Sequence, residues 1–160
     1  MATSAKRKLS DEPGRKFVHK TQWSEVSDTI CVEIQDFTGK IDDLDNKQKP
    51  IFSPNFTLGG KELCVGVMTD PNDPDPEFIG VYLMNFSKED ITASAKFKSS
   101  SGGKSSIKNQ VIKAGSGHGS PKFLSHAAFK KWAKENEDIF SLEVEVTLHV
   151  KGPATWTTER

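Results

Sequence analysis

Across residues 140–151 apolar and polar side chains alternate: Phe140, Leu142, Val144, Val146, Leu148 and Val150 are separated by Ser141, Glu143, Glu145, Thr147 and His149. A period of two predicts a strand with one packed face and one wet face. Shorter runs of the same kind occupy 29–37, 62–68, 91–98 and 107–113, with a further short strand over 17–23. The run 78–86 is apolar on both faces, so it needs a second packing partner. Between these runs, 40–50 and 69–77 read as polar loops and 99–106 as a flexible Gly/Ser hairpin tip. Ser125 suits the N-cap of a helix through Ala127, Ala128, Phe129 and Trp132, which Asn136 and Asp138 end.

Strands at this spacing, one helix before the last of them and no βαβ alternation predict an all-β fold. It is an antiparallel β-sandwich of about seven to eight strands. The chain divides into a basic disordered arm at 1–20, the sandwich at 21–151 and a C-terminal tail at 152–160.

Composition refines this picture. At 160 residues and 34% hydrophobic content the chain suits one core plus polar tails. Its formal net charge is zero, so no global field draws nucleic acid or membrane, and neither is expected as a partner. The charge is uneven: Lys6, Arg7, Lys8, Arg15, Lys16 and Lys20 outnumber Asp11 and Glu12 in the arm. That arm reads as a nuclear import signal or a solvated tail. Without a secretory leader or an apolar run approaching roughly 20 residues, the expected location is nucleus or cytoplasm.

Catalytic and metal chemistry find little support. Gly102-Gly103-Lys104-Ser105 matches the end of a phosphate loop, but Lys98 stands where the leading glycine belongs and no helix follows. The acids Asp70, Asp73, Asp75 and Glu77 are broken by prolines and lack calcium-loop spacing. Cys31 and Cys64 fall within predicted strands and read as buried thiols rather than nucleophiles or zinc ligands. The expectation is a protein that is not an enzyme and needs no cofactor or metal.

With these elements in order, the chain resembles a MATH domain, the TRAF-like β-sandwich, over residues 29–151. The resemblance rests on Val32-Glu33-Ile34-Gln35-Asp36-Phe37, on Phe52-Ser53 with Gly59-Gly60-Lys61, on Val81-Tyr82-Leu83 and on Ala95-Lys96-Phe97-Lys98. Its most specific part is Gly119-Ser120-Pro121-Lys122-Phe123-Leu124, similar to the family's Trp-Gly-x-x-Lys-Phe-Ile turn. Val32, Leu63 and His118 stand where the family often has Trp, and Ser120 replaces a common aromatic.

The resemblance is closest in pattern to the speckle-type adaptors, in which a MATH domain precedes a BTB domain. It implies a module that binds short extended peptides, as the substrate-recognition part of a ubiquitin-ligase adaptor or as a competitor for its substrates. It also implies a groove. Tyr82 and Phe97 are its retained aromatics, while Gln110, His118 and Ser120 fill its other positions. Lys113 and Lys122 stand at its rim, where charge steers encounter with an acidic residue. The expected partner is a protein segment rich in Ser and Thr or in acids. The alternative is a structural sandwich that self-associates into a homo-oligomer. Each residue also has a plain reading: Tyr82 and Phe97 as core aromatics, His118 and the lysines as solvated side chains.

Overall fold

A computed structural model describes residues 14–47, 49–69, 72–73 and 77–159. Its strands are β1 (Lys16–Gln35), β2 (Ile51–Phe52), β3 (Phe56–Leu58), β4 (Lys61–Met68), β5 (Phe78–Asn85), β6 (Ile91–Ser99), β7 (Lys104–Ile112), β8 (Gly117–Ser125) and β9 (Ile139–Glu159). Two helices, α1 (Phe37–Lys47) and α2 (His126–Glu135), interrupt them. The described residues belong to two compact units, Glu25–Val150 and a smaller one drawn from both chain ends.

The larger unit is an antiparallel sandwich. One sheet has the order β1-β9-β6-β7, the other β2-β4-β5-β8 with β3 also on β4. Register aligns the packed faces: Ala93, Ala95 and Phe97 of β6 oppose Leu148, Val146 and Val144 of β9. In the second sheet Val65 and Val67 oppose Leu83 and Val81. All of these are buried, because residues directly opposed across an antiparallel pair share a face. The expected sandwich and the helix before its last strand are therefore both present.

The helical end closes on aromatics. Phe37 stacks on Phe140 at 4.8 Å, and Phe129 meets Phe37 edge-on at 5.1 Å. Ser125 caps α2 as expected, its hydroxyl accepting from the Ala128 N–H at 3.1 Å.

Several expectations need correction. Residues 40–47, read as loop, belong to α1, whose buried anchors Phe37 and Ile41 lie one helical turn apart. The 99–106 tip is a bonded turn: the Ser99 N–H donates to the Gly103 carbonyl at 2.9 Å, and the Ser99 and Ser101 hydroxyls meet at 2.7 Å. Cys31 is exposed, whereas Cys64 is buried as expected. Residues 16–20 of the predicted arm and 152–159 of the predicted tail are strand. They form a ribbon in the smaller unit, where His19 lies 4.8 Å from Trp156 and Lys20 pairs with Glu159 at 3.6 Å. Lys6, Arg7, Lys8, Asp70 and Asp75 lie outside the described residues.

Candidate functional site

Strands β7 and β8 are consecutive, yet each ends a different sheet. The turn at 113–116 carries the chain from one layer to the other, so two strand edges run close together at one side of the sandwich. Five predicted site residues, Gln110, Lys113, His118, Ser120 and Lys122, lie on this hairpin.

Asn85 holds the hairpin in place. Its side chain is fully buried, and its amide donates to the Glu89 carbonyl at 2.8 Å and to the Ile112 carbonyl at 2.9 Å. Its side-chain oxygen accepts from the Ser87 N–H at 3.0 Å. The Asn85 N–H donates to the Ser116 carbonyl, and the Gly115 N–H donates to the Asn85 carbonyl, both at 2.8 Å. Asp90 adds a bond from the Ala114 N–H at 3.0 Å. The turn is thus positioned by buried, satisfied polar groups, which favours one conformation.

Pair register gives each side chain its direction. Gln110 opposes Ala93, His118 opposes Leu83 and Ser120 opposes Val81, so all three share the inner faces. At an edge that direction leads to the mouth between the sheets; Gln110 and Ser120 are half-buried there and His118 is exposed. Lys113 is exposed on the turn. Lys122 is exposed in the β8 bulge, its Nζ 5.7 Å from the centre of the Phe78 ring.

Tyr82 lies on the opposite, outer face of its sheet. It belongs to the cross-strand row Phe52, Gly66, Tyr82, Gly119, with a glycine on each side. Next to that row Met84 opposes Gly117. A Cβ at Gly117 would stand 2.3 Å from the Met84 sulfur, so the thioether lies over that glycine. At Gly119 an added Cβ would stand 2.0 Å from the Val81 carbonyl oxygen, so β5 and β8 approach closely there, while the Tyr82 ring lies over Gly80. The outer surface at the β8 edge thus carries the Met84 thioether, with Tyr82 beside it.

Phe97 does not join this group. Only 1% of it is exposed, on the inner face of the other sheet, where it opposes Val144. The apolar neighbours Ala93 and Ala95 carry the signal for that burial, and the groove role expected of Phe97 is replaced by a core role.

One feature of the edge is legible in the sequence by counting charges in segments. Residues 91–134 contain nine lysines and neither Asp nor Glu. The resulting charge differs between surfaces. On the outer face of the first sheet, Lys96 and Lys98 oppose Glu145 and Glu143, and a depression of about 570 Å³ lies among these residues. That ladder is close to neutral. At the β7–β8 edge, Lys108, Lys113 and Lys122 pair with no acid among the described residues.

Comparison with protein families and with curated proteins finds no match for the chain.

Proposed function

We propose that this protein is a non-enzymatic interaction module that binds an extended segment of a partner protein at the β7–β8 edge. The single observation that carries the reading is the hairpin itself: two strand edges and five of the seven expected site residues converge on it. An extended peptide would gain main-chain hydrogen bonds from the β8 edge, while Tyr82 and the mouth residues Gln110, His118 and Ser120 read its side chains. The MATH resemblance supports the finer role, substrate recognition for a ubiquitin ligase in the nucleus or cytoplasm. Titrating the isotope-labelled chain with Ser/Thr-rich and acidic peptides, with backbone amide shifts as readout, tests the module. Saturable shifts at Tyr82, His118 and Ser120 are expected; a protein unmoved by every peptide removes the reading.

Self-association is a second reading, favoured by the smaller unit. Its ribbon exposes Phe17, Trp23 and Trp156, each more than half accessible. A two-stranded ribbon is marginal alone in water, and a second copy would cover these rings. Sedimentation equilibrium distinguishes this reading: mass that rises with concentration supports it.

A further inference from the structure

We infer that the segment recognised at the β8 edge is acidic and carries large apolar side chains at alternate positions. The inference rests on the peptide-binding reading above and names the chemistry of its partner.

Charge gives the first half. Lys113 and Lys122 bracket the β8 edge, Lys108 stands on the facing strand, and His118 lies between them. Within 91–134 no acid occurs, and against these lysines stands the Asp90 carboxylate, which accepts from the Ala114 N–H beside Lys113, so the basic groups outnumber it. An acidic strand is complementary to it and would be steered toward it.

Register gives the second half. A strand paired with β8 would set every second side chain on the outer face, opposite Gly117 and Gly119. Large apolar groups there pack against the Met84 thioether, which lies over Gly117, and beside Tyr82, which pairs with Gly119. The methionine adapts to more than one shape. The intervening side chains fall beside His118 and Ser120, and those at the ends reach the two lysines. Pro121 has no N–H to offer, so the pairing stretch is 117–120 and the recognised core is about four or five residues.

A second copy of β8 is a poor occupant. Antiparallel pairing of Gly117-His118-Gly119-Ser120 with itself would bring the basic residues of two hairpins together and supply no apolar side chain. Single-stranded nucleic acid would answer the charge, but it offers no main-chain pairing to a strand edge.

The test uses the full chain and four fluorescein-labelled probes: octapeptides alternating Glu with Phe, Gln with Phe, and Glu with Ser, and a thymidine dodecamer. By anisotropy, the Glu/Phe peptide should bind at least about tenfold more tightly than either control peptide or the oligonucleotide. Its affinity should fall with salt. The double variant Lys113→Gln/Lys122→Gln, checked for an unchanged circular dichroism spectrum, should bind Glu/Phe no better than wild type binds Gln/Phe. Equal affinity for Glu/Phe and Gln/Phe, or for Glu/Phe and Glu/Ser, overturns the inference and leaves the peptide-binding reading standing. Tighter binding of the oligonucleotide overturns it in favour of nucleic acid. Absence of binding by these peptides and by the Ser/Thr-rich set removes both.

Discussion

Asp138 caps α1 from a hundred residues further along the chain: its Oδ1 accepts from the Thr38 N–H at 2.8 Å and from the Thr38 hydroxyl at 2.7 Å. The local sequence supplies no such cap, since Asp36 takes a left-handed conformation with φ 53°. The helix therefore depends on the α2–β9 connection. Asp138→Ala should lower stability by about 1–2 kcal/mol, and Asp138→Asn by less. The urea midpoints of the two variants check this; equal midpoints for wild type and Asp138→Ala would show the cap to be idle.

The two cysteines should behave differently toward a thiol reagent. Cys31 is exposed and Cys64 is buried, with burial pushing the Cys64 thiol above its ordinary value of 9.0. In native buffer one thiol should react promptly and the second only on unfolding. The linkage has a definite sign: both states keep the Cys64 proton below the unfolded value, so stability is full there. It declines as pH rises through the folded value, because the unfolded chain loses the proton first. The Cys64→Ala variant should lose less stability between neutral and alkaline pH than wild type, as measured by denaturation in parallel series.

Most of the sandwich is legible in the sequence because a half-buried strand leaves a period of two, as residues 140–148 do. The sequence hides what depends on distant partners. Phe37 and Ile41 are too few to announce a helix, and α1 is held by Asp138 and by the rings of Phe129 and Phe140. The site divides in the same way. Gln110, Lys113, His118, Ser120 and Lys122 lie near one another in sequence and share one hairpin, whereas Tyr82 is placed only by the β5–β8 register. For Phe97 the neighbours Ile91, Ala93 and Ala95 already suggest a core face in the sequence, and the setting of its strand between β7 and β9 decides it.

Lys61 and Glu89 form a hydrogen-bonded ion pair across the base of the second sheet. That bond, with the lysine charge behind it, holds the Glu89 carboxyl below its ordinary value of 4.5. For a depressed carboxyl, the contribution to stability is present above the unfolded value and is lost as pH falls through the folded one. Lys61→Met should return Glu89 to the ordinary range and remove this acid dependence. A carboxyl titration by NMR reads it directly, and an unchanged Glu89 midpoint in the variant would refute the pairing.

Gly103 lies beneath the Phe123 ring, where an added Cβ would stand 2.2 Å from a ring carbon. Phe123 is buried, and its ring meets Phe140 edge-on at 6.4 Å, so it has little room to retreat. Gly103→Ala should therefore cost about 1–3 kcal/mol through overpacking. A Gly102→Ala control tests left-handed strain at φ 118° with no neighbour within 4 Å of the new carbon. Thermal melts of the pair separate crowding from backbone strain, and an unshifted Gly103→Ala melt would mean that the ring moves freely.

Tyr82 and Phe97 should part company when each is replaced by alanine, because one is a half-buried ring on an outer face and the other is core. Phe97→Ala removes a ring enclosed by both sheets and should cost about 3–5 kcal/mol through lost burial and a residual cavity. Its effect on peptide binding should disappear wherever the variant is still folded. Tyr82→Ala should cost less than about 2 kcal/mol, in the range of partly exposed positions. It should nevertheless weaken peptide-induced amide shifts at Gly117 and Gly119, since Tyr82 pairs directly with Gly119 across the β5–β8 register. Denaturation and titration on the same samples give both numbers. A Tyr82→Ala protein that binds peptide normally would move recognition off the outer face and toward the mouth lined by Gln110, His118 and Ser120.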